Sequence, residues 1–156
     1  MHPLRGLAVA AWLLFFPLSA WADFADGLAA YDAGDYETAV AEWLPLAEQG
    51  DVDAQVALAD LYLAGQGVRP DTARALRWYR RAAEAGNAVA LLNLGDLYSR
   101  GAGVPRDLVT AFVWFSLSAE QGRRWPATRL REISREMTAA QLADAEARLK
   151  DWRKSH

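Results

Sequence analysis

Between residues 51 and 122 the apolar positions fall into stripes of helical period rather than strict alternation. Ala54, Leu58, Leu61 and Tyr62 stand at i, i+4, i+7 and i+8, and Ala75, Trp78, Tyr79, Ala82 and Ala83 form a second stripe. Each reads as the core-facing side of an amphipathic helix. A side-chain oxygen precedes every stripe: Asp51 and Asn87 before the first helices, Asp71 and Asp107 before the second ones. In that position it can accept from the unpaired N–H groups of the opening helical turn. Gly86 and Gly122 close the second helices, so the pattern predicts two helix–hinge–helix units.

The unit repeats without gaps. GQGVRPD (65–71) returns 36 residues later as GAGVPRD (101–107), and Leu58/Leu94, Asp60/Asp96, Tyr62/Tyr98, Ala75/Ala111, Trp78/Trp114 and Glu84/Glu120 coincide in the same register. Self-similarity at this period marks a stacked repeat architecture. A glycine-rich pair could cradle a phosphate, but such a loop follows a strand and leads into Lys-Ser/Thr or a third glycine. Here a helix precedes it and neither continuation exists. Gly65 and Gly101 therefore read as left-handed helix closures, Gly67 and Gly103 as the residues that let the backbone reverse, and Asp71 and Asp107 as the next caps.

These residues, read as A-x3-L-x3-Y-x2-G-x-G-V-x2-D-x3-A-x2-W-Y/F-x3-A-x2-G, resemble the Sel-one-like repeat (SLR) family, a relative of the tetratricopeptide (TPR) repeats. The resemblance covers 51–122 and implies an all-α, right-handed α/α solenoid with adaptor or scaffold roles, often in exported bacterial proteins. A subgroup carries a cysteine pair in each repeat, and some of its members are linked to β-lactam binding. This chain has no cysteine, so that activity is not carried over.

The flanks fit as partial units. Residues 23–50 keep Ala39, Trp43, Ala47 and Gly50 in phase with Ala75, Tyr79, Ala83 and Gly86, across a shortened hinge at 32–35. Pro45 inside that second helix is expected to kink it by removing a backbone hydrogen bond. In 123–156, Pro126 suits an opening helical turn, Thr138 to Gln141 reads as a capping box, and Leu142, Ala145, Leu149 and Trp152 share one side of a last helix. That helix is expected to cover the open end of the stack, and either it or a docked partner covers the apolar positions Val113 and Leu117.

The N-terminus changes the setting. Residues 1–22 carry one cation, an apolar run from Leu7 to Leu18 and the small-residue pattern Ala20-Trp21-Ala22, which reads as a secretory signal cleaved after Ala22, with an uncleaved anchor as the alternative. The run is short for a hydrocarbon core of roughly 30 Å. The expected location is periplasmic or secreted, with no stable membrane span after cleavage. The 134 residues from Asp23 suffice for one domain held by packing alone. Charge is polarised: from Asp23 to Val68 there are ten acids and no Lys or Arg, and from Arg69 onward sixteen basic residues face ten acidic ones. Such a chain could steer an oppositely charged partner or self-associate head to tail, or the charges could simply solvate helix faces.

Little chemistry is available. His2 leaves with the signal and His156 is the last residue, so nucleophile–histidine arrangements and a histidine zinc site are not supported. No catalytic residue, cofactor site or metal site is assigned, and no enzyme activity is expected. An envelope enzyme acting on cell wall or β-lactams and a self-assembling structural unit stand as alternatives. The leading reading is a scaffold that binds a protein or peptide on the concave face lined by its first helices. Asp60 lies opposite the apolar stripe beside Val56 and Leu63, and Asp96 repeats it beside Leu92 and Ser99. Those six residues form a candidate partner strip, unless the two carboxylates merely keep the face soluble or bond a neighbouring helix. Arg74, Arg77, Arg80 and Arg81 crowd the outer side of one second helix. Export makes nucleic acid an unsuited target for them, and an anionic lipid headgroup or an acidic protein face remains.

Overall fold

The structure is a computed structural model and describes residues 24–122 and 124–156; the signal-like segment lies outside them. Among the described residues there are eight helices and no strand: α1 Phe24–Asp32, α2 Tyr36–Glu48, α3 Val52–Ala64, α4 Thr72–Glu84, α5 Ala88–Arg100, α6 Leu108–Glu120, α7 Arg124–Ser134 and α8 Ala139–Ser155. Each helix from α1 to α6 packs on the next, α7 continues from α6, and α8 returns to α6. This is the all-helical stack that the two stripes predict.

The caps form where the polar residues stand. Asp35, Asp51, Asp71 and Asp107 accept from the backbone N–H three residues on, at 3.1, 2.8, 2.8 and 3.0 Å, and Asn87 accepts from Val89 and Ala90. Thr138 and Gln141 make the reciprocal capping box, at 3.2 and 2.9 Å. Pro45 does not end α2, which runs through it to Glu48.

The two full hinges are the same bend. Gly65 and Gly101 close their helices with φ of 67° and 68°, and Asp71 and Asp107 each donate 2.9 Å hydrogen bonds back to the carbonyls of Tyr62 and Tyr98. The second glycine of each hinge carries an added constraint. A Cβ on Gly67 (φ 69°) would lie 2.7 Å from the Glu37 amide nitrogen, and one on Gly103 (φ 75°) 2.7 Å from the Thr72 Cβ. Each hinge therefore leans on the first turn of the preceding unit's second helix. Stacking between units, as well as chain reversal, requires glycine there.

The main core runs from Ala39 and Trp43 through Leu58, Tyr79 and Leu94 to Leu117 and Leu149. A second cluster joins Ala111 and Phe115 to Ile133, Met137 and Ala145 of the C-terminal segment. α8 packs against α6: Val113 and Leu117 are buried, and Trp152 meets Trp114 edge-on at 5.2 Å. The apolar character of α6 thus has an internal explanation.

Gly67→Ala combines a left-handed backbone with a backbone collision, whereas Gly34 has φ 79° and open space around it. Urea unfolding should show Gly67→Ala costing about 2–4 kcal/mol and Gly34→Ala only about 1 kcal/mol. Equal costs would remove the inter-unit contact from the account.

Candidate functional site

Asp60 lies near the end of α3, and the 36-residue period places Asp96 at the equivalent point of α5. The structure gives the two carboxylates different surroundings. Tyr79, on α4, is fully buried, with 1% of its surface exposed. The hydroxyl donates to the Asp60 carboxylate and accepts from Asn93 Nδ2 on α5 at 3.0 Å. One phenol oxygen therefore ties three successive helices together.

Asp60 remains exposed as a residue, but its carboxylate end leans over the Tyr79 hydroxyl. Desolvation there pushes its pKa above the ordinary carboxylate value, with the tyrosine hydrogen bond opposing the rise. The same surroundings push the Tyr79 phenol upward, first by desolvation and then by the adjacent Asp60 charge. The phenol stays protonated and acts as a donor, so the arrangement is a structural tie rather than a nucleophile.

In the next unit Phe115 replaces Tyr79 and Arg129 of α7 replaces Asn93, both at the same 36-residue offset. Without a hydroxyl to bridge, the arginine reaches Asp96 directly. Its Nη2 lies 3.5 Å from Asp96 Oδ1 and 3.4 Å from Ser99 Oγ, its Nη1 pairs with Glu132 at 2.6 Å, and its guanidinium sits 5.9 Å from the Phe115 ring centroid. Asp96 also pairs with Arg100 at 3.0 Å.

The expected strip is consequently not uniform. Ser99 is buried, at 5% exposure, and α7 lays Arg129 over it and Asp96. Leu92 is half-buried against the second cluster. Ser99 therefore does not offer an open contact surface, because the C-terminal segment supplies its own partner to that half of the face. Val56 and Leu63 are half-buried against the main core, leaving Asp60 as the exposed polar group between them. Among the described residues no group of three or more His, Cys, Asp or Glu side chains could hold a metal.

Asn93 and Arg129 were not singled out by the sequence reading. Their signal is present but faint: a polar residue recurring one period apart, opposite an aromatic that alternates between Tyr and Phe.

Tyr79→Phe should cost about 1–3 kcal/mol, because it leaves Asn93 and Asp60 without their shared partner. Asp60→Asn keeps an acceptor for Tyr79 and removes a charge whose ionised form burial disfavours. The folded-state pKa is raised, so the Asp60 charge costs stability above that pKa and nothing once the group is protonated in both states. Thermal melts should therefore show Asp60→Asn at least as stable as wild type at neutral pH, with the advantage vanishing below the ordinary carboxylate pKa. A variant less stable at pH 7 than at pH 3, relative to wild type, would contradict this.

Comparison with known proteins agrees with the helical stack. Residues 52–87 and 88–122 each match the Sel1 repeat family model. No curated protein matches the chain. Among solved structures, a protective antigen present in uropathogenic Escherichia coli strains, displaying an SLR fold, is similar with a TM-score of 0.76 and 30% identity. That likeness covers 82% of this chain and 28% of the antigen. A Sel1 repeat protein from Oxalobacter formigenes is similar with a TM-score of 0.68 and 32% identity, covering 73% of this chain and 47% of that one. The chain thus spans less than half the length of either. This protein thus carries two Sel1 repeats within an SLR-type helical stack.

Proposed function

We propose that this protein is an exported, non-enzymatic scaffold that holds a protein or peptide partner against the Asp60 side of its first helices. Sel1 repeat proteins generally serve as protein–protein interaction scaffolds, and the fold is typically non-enzymatic. The observation that carries the site is the asymmetry between the two repeats. Arg129 occupies the Asp96 half from within the chain, while Asp60, its carboxylate bonded to Tyr79, stays exposed as a residue beside Val56 and Leu63. Tyr79 holds that carboxylate in a fixed place, so little ordering would be lost when a partner docks. A partner presenting a cation next to an aliphatic side chain matches this surface.

Export rests on the signal-like segment at 1–22. No helix among the described residues is long and apolar enough to cross a membrane. The description of the similar E. coli protein as a protective antigen fits an exported location. A periplasmic regulator holding an envelope protein is one form of this reading, and a secreted factor is another.

The test places a photo-crosslinking amino acid at Val56, with Glu146 on α8 as the control position, in cells expressing the full chain. Irradiation should give a discrete adduct from Val56 that Asp60→Arg abolishes, and none from Glu146. Adducts that are identical at both positions, or that survive Asp60→Arg, would defeat the assignment.

A further inference from the structure

A second surface, independent of the Asp60 face, lies on the other side of the stack. α2 and α4 enclose an open groove of about 430 Å³ whose apolar walls are Leu44, Tyr62 and Trp78. Arg74, Arg77 and Arg81 project into it, and their i, i+3, i+7 spacing sets them along one edge of α4 over about 10 Å.

The three arginines are unequally engaged. Arg74 donates to the Tyr62 hydroxyl at 3.1 Å and pairs with its own cap, Asp71, at 3.4 Å. Arg81 lies over the Trp78 ring at 5.1 Å, and neither it nor Arg77 has a carboxylate within ion-pairing distance among the described residues. Arg81 is thus held beside an indole and Arg77 lines the same groove, and among the described residues neither is ion-paired. Guanidinium groups suit carboxylates in particular, because their planar fork can bind both oxygens.

We infer that this groove is a docking site for an acidic segment of a partner protein, with carboxylates on Arg77 and Arg81 and aliphatic side chains against Leu44 and Trp78. Charge complementarity selects the sign of the occupant, and the shape selects its kind. Glu48 lines the groove, and Glu37, seven residues before Leu44, stands on the same side of α2. An anionic bilayer pressed flat across the arginines would also meet these acids, whereas a single extended chain can enter between the walls and avoid them. Glu48 then acts as a gate on affinity, since its carboxylate competes for the same arginines.

The experiment measures fluorescence anisotropy of a labelled peptide of alternating glutamate and leucine, beside a peptide with glutamine in place of glutamate. Anionic phosphatidylglycerol vesicles are tested in parallel. The acidic peptide should bind in a salt-sensitive manner, and the glutamine peptide should not. Arg77→Glu with Arg81→Glu should weaken binding by at least about tenfold, while Arg135→Glu with Lys150→Glu, equal in charge change, should alter it less than about twofold. Glu48→Gln should tighten binding, a readout that does not depend on the reversed-charge variant folding, and circular dichroism checks each variant. Absent binding, or equal loss in the two charge-reversed pairs, would overturn the inference. Vesicle binding that depends on Arg77 and Arg81, without peptide binding, would assign the groove to membranes and overturn it too. None of these variants touches Asp60, so the result stands apart from the fate of the scaffold face.

Discussion

The α1–α2 and α5–α6 pairs depend on an aromatic ring of the second helix lying directly on a glycine of the first. A Cβ on Gly27 would overlap the Trp43 indole, and one on Gly95 would stand 2.6 Å from Cδ1 of Phe115. Ala59 holds the corresponding place on α3 and is fully buried. Such contacts bring the helix axes close and prevent sliding, because neither backbone nor a fully buried ring can yield. The hinges then have one span to cover, which is why Gly65 and Gly101 adopt nearly identical backbone angles.

The same aromatic position also gives each unit its individuality. In the N-terminal unit the ring is Trp43, stacked on Phe24 at 5.2 Å and donating from Nε1 to the Phe24 carbonyl at 3.1 Å. In the next it is Tyr79, whose hydroxyl links Asp60 to Asn93. In the last it is Phe115, which leaves Asp96 to Arg129. Packing is preserved in all three, while the polar rim is rewritten from a backbone bond to a hydroxyl bridge to an ion pair. An internal arginine covers Asp96, and in the middle unit Asp60 stays exposed as a residue.

The helices, caps and hinges were legible in the sequence because each rests on short-range rules: period, a capping oxygen, a left-handed glycine. The cover provided by α8 was legible for a related reason, since Val113 and Leu117 are apolar where α4 carries Arg77 and Arg81. The face of the first helices was only partly legible. Helical geometry places Asp60 and Asp96 on one side, but it does not show that Tyr79 reaches Asp60 across a helix pair. Nor does it show that a residue 33 positions later in the chain, Arg129, returns to cover Asp96 and Ser99. Those contacts depend on the rise and twist between units, which no local pattern encodes. Gly67 shows the same limit, its collision with α2 being a property of the stack rather than of the turn.

The account is tested most directly by urea unfolding of a cycle of Gly95→Ala, Phe115→Ala and both together. With Phe115 present, the added methyl must displace a fully buried ring and should destabilise by about 1–3 kcal/mol. With alanine at 115 the collision is gone, and the same substitution should become stabilising by up to about 1 kcal/mol through helix propensity. That reversal of sign is the predicted result. If Gly95→Ala has the same effect in both backgrounds, the ring does not rest on the glycine and the proposed basis of the stack is wrong.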